Sequence, residues 1–173
     1  MEILFKTPHG SRLYGMSHEN SDEDWYTVVV KPPTKKKKYS THRIIDNDDS
    51  VVVDFGTWLT LCEKGVPQAL EAMFSEQPVT DKLGALRAGY RAGPAAYDTY
   101  LRTIKSFAMQ DEFKPKRHAL RLALNMFDLR QYGRFNPTLT QMEVDYISRM
   151  AEWPAETVYM AAKELAWGLD KSV

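Results

Sequence analysis

The sequence predicts an α+β fold, in which a small mixed or antiparallel N-terminal sheet carrying an acidic site precedes a helical C-terminal half. Runs of β-branched residues at 28–30 and 51–53 alternate with turns in the first 56 residues. From about Thr57 the apolar residues recur at helical spacing. We expect residues 1–91 to form the core with the sheet and first helices, and residues 92–173 a helical subdomain packed on it.

The predicted elements follow from these patterns in chain order. Strands are expected at residues 3–5, 26–30, about 41–45 and 51–54. Residues 31–38 hold two prolines and four consecutive lysines, which indicates a solvated loop, and residues 46–49 have the composition of a hairpin turn. Helices are expected at residues 58–64, 67–74, 80–90, 94–109, 116–132, 141–151 and 154–168.

Composition excludes several classes of protein. The 173 residues include 23 basic and 23 acidic side chains, so net charge alone does not hold a nucleic acid. Cys62 is the single cysteine, which excludes an intrachain disulfide and a CxxC metal knuckle. No apolar run approaches the roughly 18 residues of a membrane helix, and the N-terminus lacks a signal-peptide pattern. We therefore expect a soluble, cytoplasmic protein.

Asp22 and Asp24 are the first candidates for a chemical role. They stand two residues apart at the head of a predicted strand, so both project from one face. Their mutual repulsion favours a cation between them, and Mg²⁺ suits carboxylate and phosphate oxygens. The alternative is an acidic loop that merely leads into the strand.

Gly10 and Ser11 lie upstream, at the predicted junction of a strand and a helix. Exposed backbone N–H groups and a hydroxyl there would form a phosphate cradle. Glycine and serine are also ordinary loop residues. Their spacing of ten residues from the acidic pair is what makes the combination informative.

Asp54 is the expected third carboxylate, because it ends a run of valines where an unpaired buried acid would be costly. Asp46, Asp48 and Asp49 compete for this role, although turn chemistry accounts for them.

These motifs resemble the nucleotidyltransferase superfamily that includes DNA polymerase beta. The pattern is closest to that of predicted bacterial and phage nucleotidyltransferases, G-S-R-x-Y-G followed by S-D-x-D. It reads here as Gly10-Ser11-Arg12-Leu13-Tyr14-Gly15 and Ser21-Asp22-Glu23-Asp24. The resemblance covers about residues 5–135 and departs from the family pattern at Leu13 and Trp25. Its downstream elements are Asp54 to Leu59, Lys64-Gly65-Val66-Pro67, Leu70 to Ser75, and a basic helix with Lys116, Arg117, His118 and Arg121.

The resemblance implies an enzyme that transfers a nucleoside monophosphate from an NTP, such as ATP, to an acceptor and releases pyrophosphate. Two Mg²⁺ ions would be held by Asp22, Asp24 and Asp54, the catalytic and metal-binding residues. The acceptor stays open among a nucleic-acid end, a protein and a small molecule. The implied nucleotide-binding residues are Gly10, Ser11, Arg12, Tyr14, Lys116, Arg117 and Arg121.

Other interpretations stay open at this point. The chain is alternatively a non-catalytic, antitoxin-like module that keeps the fold and binds a nucleotide or partner. The basic helix is alternatively a solvated face. For single residues too a second interpretation is open. Arg12 binds either a phosphate or a nearby carboxylate, and Tyr14 either stacks on a base or packs in the core. His118 is interpreted as a structural histidine that forms a hydrogen bond.

Overall fold

The computed structural model describes residues 2–18, 21, 23–30, 43–45 and 48–168 of the chain. Its architecture confirms the predicted α+β class, with strands concentrated in the first 54 residues and helices after them. The predicted lysine-rich loop at 31–38 lies outside the described residues, as do Asp46 and Asn47 of the predicted turn.

Five strands form a mixed sheet in the order β3-β4-β2-β1-β5. Strand β2 runs parallel to β4, and the other neighbouring pairs are antiparallel. The starts of β2 and β4 therefore lie at one end of the sheet and their last residues at the other. The strands are β1 (Ile3–His9), β2 (Asp24–Val29), β3 (Arg43–Ile45), β4 (Asp48–Asp54) and β5 (Thr80–Asp81).

The described residues also form eight helices, and the long ones follow the sheet. Helix α6 makes extensive contacts with both α5 and α8, so it is central to the helical half. The helices are α1 (Ser11–Tyr14), α2 (Phe55–Glu63), α3 (Pro67–Phe74), α4 (Gly84–Gly89), α5 (Ala95–Ala108), α6 (Phe113–Tyr132), α7 (Gln141–Met150) and α8 (Ala155–Trp167).

The apolar face of the sheet follows from strand alternation. Tyr26 pairs with Val51 and Val28 pairs with Val53, and all four side chains are buried. Trp58 of α2 is fully buried and stacks on Phe5 with 5.6 Å between ring centroids. The core therefore begins where α2 packs on the sheet.

The core continues without interruption into the helical half. Phe74 of α3 meets Phe135 edge-on at 5.1 Å, and Phe135 contacts the buried Tyr100 of α5 at 6.3 Å. The buried apolar residues of the sheet and of α5, α6 and α8 belong to one cluster.

Helix α2 begins at Phe55, three residues before the predicted start, because Asp54 caps it. The Asp54 carboxylate accepts hydrogen bonds from the Thr57 backbone N–H at 3.0 Å and from the Thr57 hydroxyl at 2.6 Å. A carboxylate in this position satisfies an otherwise unpaired N–H at the helix start.

The predicted helix over residues 80–90 is wrong in its first part. Thr80 and Asp81 form β5, paired with Lys6 and Phe5 of β1. The Asp81 carboxylate then accepts from the Leu83 backbone N–H at 3.1 Å, so a turn separates this strand from α4. Pairing with an existing strand edge prevails here over helical propensity.

Replacing Asp54 with alanine is expected to lower the free energy of unfolding by about 1 kcal/mol, because α2 loses its cap. Asp54→Asn is the matched control, since asparagine caps a helix nearly as well as aspartate. Urea denaturation followed by circular dichroism measures both variants. Equal stability of Asp54→Ala and the unmodified protein would contradict a capping role.

Candidate active site

The junction of β1 and α1 has the predicted strand–glycine–helix form. Gly10 joins the two elements with φ 70° and ψ −147°, a conformation that is nearly exclusive to glycine. A Cβ atom added at Gly10 would lie 3.0 Å from Oδ2 of Asp24. The turn therefore needs glycine both for its backbone and for the close approach of a carboxylate.

Asp24 begins β2 and pairs with His9, the last residue of β1. This register brings the Asp24 carboxylate beside the glycine turn. Asp22 lies outside the described residues. The loop before β2 is attached to α1, because Arg12 donates from a guanidinium nitrogen to the Ser21 carbonyl oxygen at 2.8 Å.

Asp54 and Asp24 are not brought together. Asp54 pairs with Val29 in the parallel register, five residues along β2 from Asp24, which corresponds to about 16 Å. The Asp54 carboxylate is instead the cap of α2. The predicted grouping of these two carboxylates therefore fails, because β4 runs parallel to β2.

The start of β4 lies at the same end of the sheet as Asp24. The Trp25 backbone N–H donates to Oγ of Ser50 at 3.3 Å, so the strands are adjacent there. Continuing the register back from Tyr26 and Val51 puts position 49, an aspartate, level with Asp24.

A cavity of about 670 Å³ opens beside the glycine turn. Its walls come from the β1–α1 junction, the start of β2, α3, α5 and α6. The residues that line it include His9, Gly10, Ser11, Tyr14, Asp24, Gln68, Glu71, Phe107, Lys114, Arg117, His118 and Arg121.

A buried ion pair forms part of the cavity wall. Glu71 accepts from a guanidinium nitrogen of Arg121 at 2.7 Å and from the Tyr14 hydroxyl at 2.9 Å. The Arg121 guanidinium also lies 3.6 Å from the centroid of the Tyr14 ring. Burial is the largest single influence on the pKa of Arg121 and would lower it, but the Glu71 carboxylate together with Tyr14 and Tyr100 raises that pKa overall.

Tyr14 therefore has a structural role and does not present an open ring face on which a base could stack. Its hydroxyl is committed to Glu71, and its ring lies against Arg121 and edge-on to His118. Burial is the main cause that raises the pKa of the Tyr14 hydroxyl, so it stays protonated.

His118 lines the cavity in a defined hydrogen-bonding state. Its Nδ1 accepts from Nε of Arg121 at 3.2 Å, so the ring is neutral and carries its proton on Nε2. Burial first, and then the charges of Arg121, Lys114 and Arg117, lower the pKa of His118 to about 3. His118 is not among the site residues that the sequence predicts.

Of the predicted residues on the basic helix, Arg117 and Arg121 line the cavity and Lys116 does not. Lys116 donates to the Trp153 carbonyl oxygen at 2.7 Å and pairs with Asp111 at 3.2 Å, and it does not line the cavity. Lys114 and Arg117 do line it. In the part of the chain described, Nε of Arg117 has no hydrogen-bond partner.

Glu71 and Lys114 were also missed. The spacing of Lys114, His118 and Arg121 at i, i+4 and i+7 was the available signal, because it places them on one helix face. Glu71 lies within the element Leu70 to Ser75 that carries the family resemblance. Its partner, Arg121, is 50 residues away in sequence, so no local pattern indicates the pair.

A second cavity of about 800 Å³ lies between α6, α7 and α8 and is lined mainly by apolar and aromatic side chains. Glu164 is the only carboxylate among its lining residues in the described structure. Among the residues described, which do not include Asp22, no three His, Cys, Asp or Glu side chains group as a metal site. No described helix combines the length and apolar character of a membrane span.

A family model described as RlaP, the RNA repair pathway DNA polymerase beta family, matches residues 1–159. This range includes every residue that lines the cavity beside the glycine turn. No curated protein matches the chain. The family match confirms the predicted resemblance to the DNA polymerase beta superfamily and indicates a nucleotidyltransferase-type function. The chain belongs to the RNA repair pathway DNA polymerase beta family.

Proposed function

We propose that the chain is a magnesium-dependent nucleotidyltransferase that transfers a nucleoside monophosphate from an NTP to an acceptor and releases pyrophosphate. The observation that carries the proposal is the composition of the cavity beside the glycine turn. Asp24 and the Gly10–Ser11 junction form one wall, and Lys114 and Arg117 lie on another. A carboxylate for a metal and cations for phosphates thus share one cavity.

The residues at the glycine turn suit a hard divalent cation. Oδ2 of Asp24 lies 3.0 Å from the position that a Cβ atom on Gly10 would take, so the glycine leaves room for this carboxylate at the turn. We assign metal binding to Asp24, Asp22 and Asp49, the last on the strand register alone. Magnesium, when bound, would neutralise triphosphate oxygens and stabilise charge in an in-line displacement.

The protein's own side chains bind and orient the nucleotide in this proposal. Lys114 and Arg117 offset the charge of the triphosphate, and the Ser11 hydroxyl contributes a hydrogen bond at the glycine turn. Arg12 keeps the loop before β2 attached to α1, which positions the acidic segment. Lys116 and Asp54 have structural roles instead.

The acceptor that the family description favours is an RNA end. A terminal hydroxyl oxygen would form a bond to the α-phosphorus of the NTP while the bond to pyrophosphate breaks, and the hydroxyl proton passes to solvent or a nearby base. The zero formal net charge of the chain implies that such an RNA is held locally and not by overall attraction.

Asp24→Asn is expected to weaken magnesium-dependent NTP binding at least about tenfold, because it removes a negative ligand from the proposed metal site. Asp54→Asn is the control with the same chemical change at the other end of the sheet, and it should bind as the unmodified protein does. Calorimetric titration with each of the four NTPs, with and without Mg²⁺, measures both. Loss of binding in Asp54→Asn alone would restore Asp54 to the site.

Asp49→Asn is expected to reduce the same magnesium-dependent affinity by a similar factor, while Asp48→Asn leaves it within about twofold. Continuing the strand register of Tyr26 and Val51 places position 49 level with Asp24, whereas position 48 is one residue out of that register. Titration with the NTP that binds the unmodified protein distinguishes the two variants. Equal behaviour of both would remove Asp49 from the assignment.

Incubation with a radiolabelled NTP and Mg²⁺ is expected to label an RNA oligonucleotide that ends in a free 3′-hydroxyl. An otherwise identical RNA with a 3′-phosphate should stay unlabelled, because the attacking hydroxyl is missing, and Asp24→Asn is the enzyme control. Magnesium-dependent NTP binding without any transfer would favour the non-catalytic, antitoxin-like module instead.

A further inference from the structure

His118 has two ring nitrogens with different environments. Nδ1 accepts a hydrogen bond from Nε of Arg121 at 3.2 Å, so this nitrogen carries no proton. Nε2 therefore carries the N–H of a neutral imidazole. Within the described part of the chain Nε2 has no hydrogen-bond partner, and the residue lines the cavity.

The orientation of the imidazole is fixed by a chain of contacts. Glu71 accepts from Arg121 at 2.7 Å, and Arg121 in turn donates to His118, so the ion pair determines which nitrogen is protonated. The ring also meets Tyr14 edge-on at 6.1 Å and Phe107 at 5.9 Å. These two aromatic rings, from α1 and α5, restrict rotation of the imidazole.

The neighbours of His118 on α6 indicate which kind of ligand its Nε2–H would contact. Lys114 and Arg117 precede it by four and one residues and line the same cavity. Both are basic side chains, and together with the Asp24 carboxylate in the same cavity they suit an anion bound beside a metal. A donor without charge adds a hydrogen bond there without adding repulsion between cations.

We propose that His118 is a nucleotide-binding residue that donates its Nε2–H to a triphosphate oxygen, and that Arg121 and Glu71 are the residues that position it. This inference rests on the proposed function, because the triphosphate is the ligand. It gives the buried ion pair a role at the site, because the pair sets the tautomer of an uncharged donor that lies beside Lys114 and Arg117 in the cavity.

Two conservative variants separate this role from a structural one. Asparagine at position 118 keeps an acceptor at the place of Nδ1 for Arg121 but has no donor at the place of Nε2. Glutamine reaches the place of Nε2 with an amide N–H but gives up the Nδ1 acceptor. A donor to phosphate therefore tolerates His118→Gln, whereas a purely structural histidine tolerates His118→Asn.

Calorimetric titration with Mg²⁺ and each of the four NTPs is expected to show His118→Asn binding about tenfold more weakly and His118→Gln within about threefold of the unmodified protein. Thermal unfolding of both variants checks the fold. Unchanged affinity in His118→Asn overturns the inference and leaves the proposed function intact. No NTP binding by the unmodified protein overturns both.

The tautomer provides a test that needs no nucleotide. NMR of the unmodified protein with ¹⁵N-labelled imidazole is expected to show the proton of His118 on Nε2, and its resonance should move when Mg²⁺ and NTP are added. A proton on Nδ1 in the free protein overturns the inference whatever the nucleotide does. A well-folded His118→Gln that binds as weakly as His118→Asn also overturns it.

Discussion

The buried ion pair between Glu71 and Arg121 is the interaction on which the rest of the structure depends. It joins α3 to α6 across 50 residues of sequence, and the Tyr14 hydroxyl adds α1 to the same carboxylate. Both charged side chains are at most 5 % exposed. Removing one partner of such a pair leaves an uncompensated buried charge, which typically costs about 3–5 kcal/mol. The pair therefore fixes the helical half against the glycine turn and defines one wall of the cavity.

Local sequence signals predicted the part of the site that depends on neighbouring residues. The junction at Gly10 and the start of β2 at Asp24 follow from composition and alternation over a few positions. Whether Asp54 lies near Asp24 depends on whether β4 runs parallel or antiparallel to β2. No local sequence pattern indicates this strand direction. In an antiparallel pair the end of β4 would meet the start of β2, but in the observed parallel pair it meets the end. The acid at the end of β4 therefore lies level with Val29 at the far end of β2 and not beside Asp24.

The prediction for Lys116 on the basic helix fails for a different reason, which is the direction in which its side chain projects from the helix. Lys114 and Lys116 are two residues apart, which is about 200° around a helix, so they project from nearly opposite sides. The resemblance to the basic helix of the family favours Lys116 as a nucleotide-binding residue, because it is adjacent to Arg117 in the sequence. Packing decides otherwise, since Lys116 is buried against Asp111 and the Trp153 carbonyl oxygen. The spacing of Lys114, His118 and Arg121 in the sequence already places these three residues on one face of the helix. Those partners of Lys116 and Arg121 that are distant in sequence depend on the tertiary fold.

Charge balance in the cavity explains why the proposed reaction depends on a metal. Three cations on α6 line the cavity, but Glu71 already compensates Arg121, so Lys114 and Arg117 remain to meet a ligand. Each phosphoryl group of an NTP carries at least one negative charge, and Asp24 on the facing wall adds another. Two lysine or arginine charges do not balance that total. A neutral donor such as His118 adds a hydrogen bond but no positive charge, so the proposed function requires a divalent cation beside Asp24 to bring a triphosphate and a carboxylate together.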